Sequence, residues 1–182
     1  MNFPNNNFYN SEFSKITDIR FYPYVGENFP VSQKKIMIIA YNIPCPLDIY
    51  EAEQIRTSSK THFADALGEF TYQQGWWTTT FRNFIKGSLG ITENYSINSD
   101  IKVTSSIDKF VSEITYANYI NDLVPSDNSL NVTIEPQLLK RSNNINKEIF
   151  NILKVSHIVC WGKFVFNHYL ITRGYKNCKK NI

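Results

Sequence analysis

Ile36-Met37-Ile38-Ile39 is an uninterrupted apolar run between Lys35 and Ala40. A half-exposed strand alternates polar with apolar residues, so a short continuous run suits a strand covered on both faces, as in a parallel sheet. The run gives way to Tyr41-Asn42-Ile43-Pro44-Cys45-Pro46. Two prolines cannot donate ladder hydrogen bonds, so the chain is expected to leave the sheet there and form a loop. That places a loop at the strand's C-terminal end, where open α/β sheets bind ligands.

Two further runs have the same character. Glu113 to Tyr119 reads Glu-Ile-Thr-Tyr-Ala-Asn-Tyr, rich in strand-favouring side chains, and Ile158-Val159-Cys160-Trp161 is closed by Gly162. Helical spacing fills the intervals. Phe63, Ala66, Leu67 and Phe70 share a face, as do Trp77, Phe81, Phe84, Ile85 and Leu89 ahead of Gly90, a residue suited to ending a helix. Ile107, Phe110 and Val111 predict one or two helical turns. After the polar connector Pro125 to Asn131, a longer stripe runs through Leu138, Leu139, Ile145, Ile149, Ile152 and Leu153, with Asn143 and Asn144 as a point of interruption. Lys163 to Leu170 resumes a helical pattern. Strands alternating with helices predict an α/β fold with a short, mainly parallel sheet and helices on both faces.

A chain of 182 residues fits a single domain, 1–182, able to bury roughly 70% of its unfolded surface. Residues 1–20 read as a loop or arm, because the first ten are rich in Asn, which favours turns. Phe21-Tyr22-Pro23-Tyr24-Val25-Gly26 reads as an ordered aromatic loop. Residues 173–182 form a basic tail with Arg173, Lys176, Lys179 and Lys180, either a solvated terminus or a phosphate contact. The net charge of +3 is too small to mark a protein that grips phosphates by charge alone.

Cys45, Cys160 and Cys178 are odd in number and widely spaced, which indicates neither a disulfide framework nor a zinc site and suits a reducing compartment. With no signal-like N-terminus and no membrane-length apolar segment, the expectation is a cytoplasmic protein without a membrane partner. The sequons at Asn94 and Asn131 then carry no meaning. No phosphate-binding Gly-rich loop and no Gly-x-Ser-x-Gly nucleophile turn is present, and no cofactor is implied. His62, His157 and His168 lack a sequence context for acid-base work and read as structural or surface residues.

The order of Tyr24-Val25-Gly26, the strand Lys35 to Ala40 with its polar exit, the strand ending at Asn118-Tyr119, and Ser156-His157-Ile158-Val159-Cys160-Trp161-Gly162-Lys163 resembles a bacterial branch of the uracil-DNA glycosylase-like superfamily. These pieces span most of the chain from Phe21 to Leu170. The resemblance implies a three-layer α/β/α domain with its cleft at the C-terminal edge of the strands. It implies DNA or another nucleobase-containing ligand as partner. A hydrolase of DNA repair is the activity of that superfamily.

In that superfamily the loop after the first strand carries a residue that positions the hydrolytic water, in patterns such as G-x-N-P-G. Asn42 falls at that position, although Ala40 replaces the first Gly and Pro44 is displaced by one. As an amide, Asn42 would orient water without acting as a base, and it equally suits closing a turn beside Pro44. Asn118 matches the Asn that reads a flipped pyrimidine through paired donor and acceptor atoms, with Tyr24 and Tyr119 available to stack on it. The alternative places Tyr119 in the core and Asn118 on a buried backbone group. The sequence departs from the superfamily in carrying no His-Pro-Ser type motif after the third strand, which argues against assuming the glycosylase reaction. Base excision, non-catalytic nucleotide binding and a protein-interaction domain on the same scaffold are the resulting alternatives.

Overall fold

The computed structural model describes residues 7–41, 43–48, 50–51, 61–62, 87, 90, 106, 109–126 and 134–170. In chain order the strands are β1 (Phe21–Tyr22), β2 (Tyr24–Val25), β3 (Ile36–Ala40), β4 (Ile43–Pro46), β5 (Thr61–His62), β6 (Ile114–Asn118), β7 (Leu123–Ser126) and β8 (His157–Cys160). The helices are α1 (Asn10–Phe13), α2 (Pro136–Leu153) and α3 (Lys163–Val165), the last continuing into a π-helical turn at Phe166–Leu170. The main sheet has the order β2-β6-β3-β8. Its three inner and C-terminal strands are the three apolar runs, and they lie parallel with Ala40 opposite Asn118 and Ile39 opposite Cys160. The fourth strand, β2, is antiparallel to β6, which makes the sheet mixed.

β3 is buried on both faces, as its continuous apolar run requires: Met37, Ile38 and Ile39 are all within 1% of full burial. One face, carrying Met37, Ile39, Ala117 and Val25, joins the main core with α2. α2 contributes Ile145, Ile149, Phe150 and Leu153 to it, each buried apolar side chain stabilising the fold by roughly 1.5–3 kcal/mol. Pro136 stands in the first helical turn, where its missing N–H costs nothing, and Lys154 ends the helix at φ 51° with its N–H on the Phe150 carbonyl.

Several elements differ from the sequence expectation. The chain leaves the main sheet after Ala40, but Ile43–Pro46 does not form a loop: it pairs in parallel with Leu123–Ser126. A parallel ladder uses alternate residues of each strand. With Ile43 opposite Leu123, Pro44, Pro46 and Pro125 all share the non-bonding phase, so none is asked for an N–H. The same pairing makes a strand of the start of the segment read as a polar connector.

α2 runs unbroken through Asn143 and Asn144. Nearby polar side chains bond across the core: Asn143 Oδ1 accepts from the Tyr119 hydroxyl at 2.9 Å, and Asn146 Nδ2 donates to the carbonyls of Tyr119 and Ser142, both at 2.8 Å, while Asn146 Oδ1 has no hydrogen-bond partner among the described residues. Before the first strand, Phe13, Ile16 and Ile19 are buried, so the segment from α1 onward packs into the core. Phe21 to Val25 is split by Pro23 into two short strands that pair with different partners. The helices expected over Phe63 to Phe70 and Trp77 to Leu89 lie outside the described residues, apart from a helical Gly87 and a Gly90 at φ 68°. No helix among the described residues is long and apolar enough to cross a membrane.

Candidate functional site

The C-terminal edge of β6, β3 and β8 is built by one row of residues. Because side chains alternate along a strand and Ala40 pairs with Asn118, the residues Tyr116, Asn118, Ile38, Ala40, Val159 and Trp161 share the face away from α2. The ring contact between Tyr116 and Trp161, with centroids 6.2 Å apart and planes at 76°, agrees with that placement. Trp161 extends the ladder by one residue, its N–H donating to the Ile39 carbonyl at 2.8 Å, and Gly162 then turns the chain at φ 108° into α3.

Asn118 is 4% exposed, and its Oδ1 is a buried acceptor without a hydrogen-bond partner. An orphaned amide oxygen in the interior costs about 1–3 kcal/mol. Its neighbours in sequence are satisfied: Asn121 and Tyr119 each have defined partners. Strand geometry brought this amide to the sheet edge, where its oxygen has no hydrogen-bond partner among the described residues.

The other residues singled out in the sequence go elsewhere. Tyr119 follows Asn118 directly and therefore turns to the opposite face. There it is 1% exposed, with its hydroxyl on Asn143 and its ring 6.3 Å from Phe164. Tyr24 shares the face of Tyr116 but sits opposite it in register, with its hydroxyl donating to the Val111 carbonyl at 3.3 Å, beyond the N-terminal end of β6. Asn42 lies outside the described residues. The structure thus brings neither tyrosine to the Asn118 amide. Adjacent residues of a strand face opposite ways, and that alternation was the signal separating Asn118 from Tyr119. Trp161 was read only as the end of a strand; its place on the same face as Asn118, across β3, depends on the inter-strand register.

A second aromatic group occupies the α2 side of the same edge. Phe164 lies between Tyr41 and His168, with centroid distances of 4.0 and 4.1 Å, and His168 is exposed. At the other end of β8, Ser156 Oγ and His157 Nδ1 are 2.8 Å apart on the surface. His62 belongs to β5. Among the described residues no three of His, Cys, Asp and Glu gather as a metal site would require. Neither Cys45, which is buried, nor Cys160, which is half-buried, forms a disulfide.

Burial raises the Tyr116 hydroxyl pKa far above its ordinary value of 10.0, and burial, with a smaller contribution from Glu27, raises that of Tyr24. For a group whose folded pKa exceeds the unfolded one, the stabilisation is complete below the unfolded pKa and is lost as pH rises above it. Stability is therefore expected to hold up to about pH 10 and then to fall by about 1.4 kcal/mol per pH unit for Tyr116 alone. Urea unfolding followed from pH 8 to 11 checks this; a flat profile above pH 10 would contradict it.

The geometry defines an α/β fold with a mixed four-stranded sheet and, among the described residues, the unpartnered Asn118 amide oxygen at the sheet's C-terminal edge. Comparison with family models, with curated proteins and with solved structures finds no match for this chain.

Proposed function

We propose that the domain binds a nucleobase, free or within single-stranded nucleic acid, at the C-terminal edge of its sheet, on a three-layer scaffold like that of the uracil-DNA glycosylase-like superfamily. The observation that carries this reading is the buried, unpartnered Oδ1 of Asn118. A ring N–H of a pyrimidine is a donor of the right kind for that oxygen, and binding would recover the cost of leaving it unpaired. The alternation of strands and helices and the order of the matching segments support the scaffold. Binding is favoured over base excision because an amide oxygen accepts a hydrogen bond but is no base at neutral pH.

The test is a titration of a single-stranded, uracil-containing 12-mer at low salt against the wild type and Asn118→Leu. The wild type is expected to bind. The leucine variant should lose at least tenfold in affinity, equivalent to about 1.4 kcal/mol, while keeping or gaining stability, because a buried unsatisfied oxygen disappears. No wild-type binding, or equal binding by both proteins, rejects the proposal. The same oligonucleotide, treated with alkali after incubation, separates the two forms of the activity: scission identifies base excision, and an intact strand identifies a binding module.

A further inference from the structure

We propose that the outer face of α2 holds the phosphate backbone of a single-stranded nucleic acid. The proposal rests on the nucleobase reading above for the kind of partner, and it adds a binding surface in a different layer of the fold.

One side of α2 carries no apolar residue. Gln137, Lys140, Asn144, Lys147 and Asn151 recur at alternating steps of three and four, the spacing that keeps side chains on one helical face, and all five are exposed. Lys154 follows at the C-cap, seven residues after Lys147 and also exposed. Seven residues make almost two turns, so successive lysines stand about 10.5 Å apart along the axis. The row runs the height of the sheet. Asn143 and Asn146 hold Tyr119, the neighbour of Asn118, while Ser156 beyond the helix bonds to Lys35 ahead of β3. Lys140 therefore stands at the end of α2 nearer the Asn118 edge.

The charges on this side are unanswered. Lysines on a surface helix are commonly balanced by a carboxylate three or four residues away. No Asp or Glu occupies such a position around Lys140, Lys147 or Lys154. The one carboxylate of α2, Glu148, comes four residues after Asn144 and lies on the far side of the asparagines from the lysines. Among the described residues none of the three lysines joins an ion pair, whereas Lys15, Arg20 and Arg141 each hold a carboxylate.

A row of ammonium groups interleaved with amide donors complements a chain of phosphates, whose oxygens commonly take hydrogen bonds from Lys, Asn and Gln side chains. An anionic lipid surface fits less well, because a helix lying in it buries apolar side chains on the face that enters, and this face has none.

The signature is in the salt dependence. For single strands the slope of log K against log salt is about −0.7 for each phosphate neutralised. Lys140→Gln/Lys147→Gln is accordingly expected to bind the uracil-containing 12-mer with a slope shallower than the wild type's by about 1.4, its affinity deficit shrinking roughly sevenfold between 50 and 200 mM salt. Adding Lys154→Asn, which suits the left-handed C-cap, should remove a further 0.7 or so. Lys34→Gln/Lys109→Gln takes the same charge from exposed positions elsewhere and should keep the wild-type slope. A fully abasic 12-mer, which offers the backbone alone, should show the same differences.

An unchanged slope in Lys140→Gln/Lys147→Gln overturns the proposal, and the nucleobase reading stands if Asn118→Leu is weakened. Equal shallowing in Lys34→Gln/Lys109→Gln also overturns it, since net charge would then act without a site. Loss of binding to phosphatidylserine vesicles by the α2 variant, with its oligonucleotide slope unchanged, assigns the face to a lipid surface instead. If both strands show the expected change while Asn118→Leu binds the uracil strand as tightly as the wild type, the α2 face stands and the nucleobase reading falls. Failure of the wild type to bind either strand overturns both.

Discussion

Asn121→Ala is expected to lower the free energy of unfolding by about 3–5 kcal/mol. Asn121 is 3% exposed, and its single side chain makes three hydrogen bonds to a segment one hundred residues away in sequence. Oδ1 accepts from the N–H groups of Arg20 and Phe21 at 2.7 and 3.1 Å, and Nδ2 donates to the Phe21 carbonyl at 2.8 Å. Alanine removes all three and leaves buried backbone groups unpaired, each at a cost of about 1–3 kcal/mol.

The neighbouring Asp122 cannot take over, because its carboxylate already holds Arg20 Nη1 at 2.6 Å, the Leu123 N–H at 2.8 Å and the Arg141 guanidinium. Ser142→Ala offers a calibration. It removes one acceptor, the hydroxyl that receives the Asn121 N–H at 3.2 Å, and should cost about 1 kcal/mol. Urea midpoints at constant m-value measure both. An Asn121→Ala loss below that of Ser142→Ala would show that the clamp contributes little.

The contrast between Asn121 and Asn118 explains what was legible in the sequence. Three parallel strands could be read to within a residue or so at each end, because each is a short run of apolar or strand-favouring side chains; burial on both faces demands that composition of β3 and β6, whereas β8, at the sheet edge, stays partly exposed. Asn118 could be placed at a strand terminus for the same reason. Whether an asparagine there clamps a distant backbone or leaves an oxygen open depends on partners far away in the chain. Asn121 and Asn118 look alike in sequence and have opposite fates.

The β4–β7 ladder was hidden for a related reason. Two prolines in four residues speak against a strand until the register shows that Pro44, Pro46 and Pro125 fall at one phase. β2 was hidden by brevity, since two residues after Pro23 carry no period to read. The pairing of Tyr119 with Asn143, which takes that ring away from the sheet edge, is likewise a tertiary fact: it needs α2 to lie over β6 at a particular rotation.

Gly26→Ala is the second large effect, at about 3 kcal/mol of destabilisation. A Cβ at Gly26 would lie 2.3 Å from the Ser112 carbonyl oxygen and 2.5 Å from that of Val111. Both obstacles are backbone atoms, and neither is at liberty to retreat. The Ser112 carbonyl accepts the Asn28 N–H at 2.8 Å, the Val111 carbonyl accepts the Tyr24 hydroxyl, and Gly26 itself donates to the Ile114 carbonyl at 2.9 Å.

Relief of the clash therefore requires the turn after β2 to separate from the start of β6, at the expense of those bonds and of the buried Val25 and Tyr24 side chains. Gly87→Ala is the matched control: nothing lies within 4 Å of its added methyl, it is helical and exposed, and alanine there should be neutral or stabilising by up to about 1 kcal/mol. Thermal and urea unfolding of the two variants should move in opposite directions. A Gly26→Ala protein as stable as the wild type would mean that the β2–β6 junction yields without loss, and the close approach of these backbones would then contribute nothing to holding the antiparallel strand in the sheet.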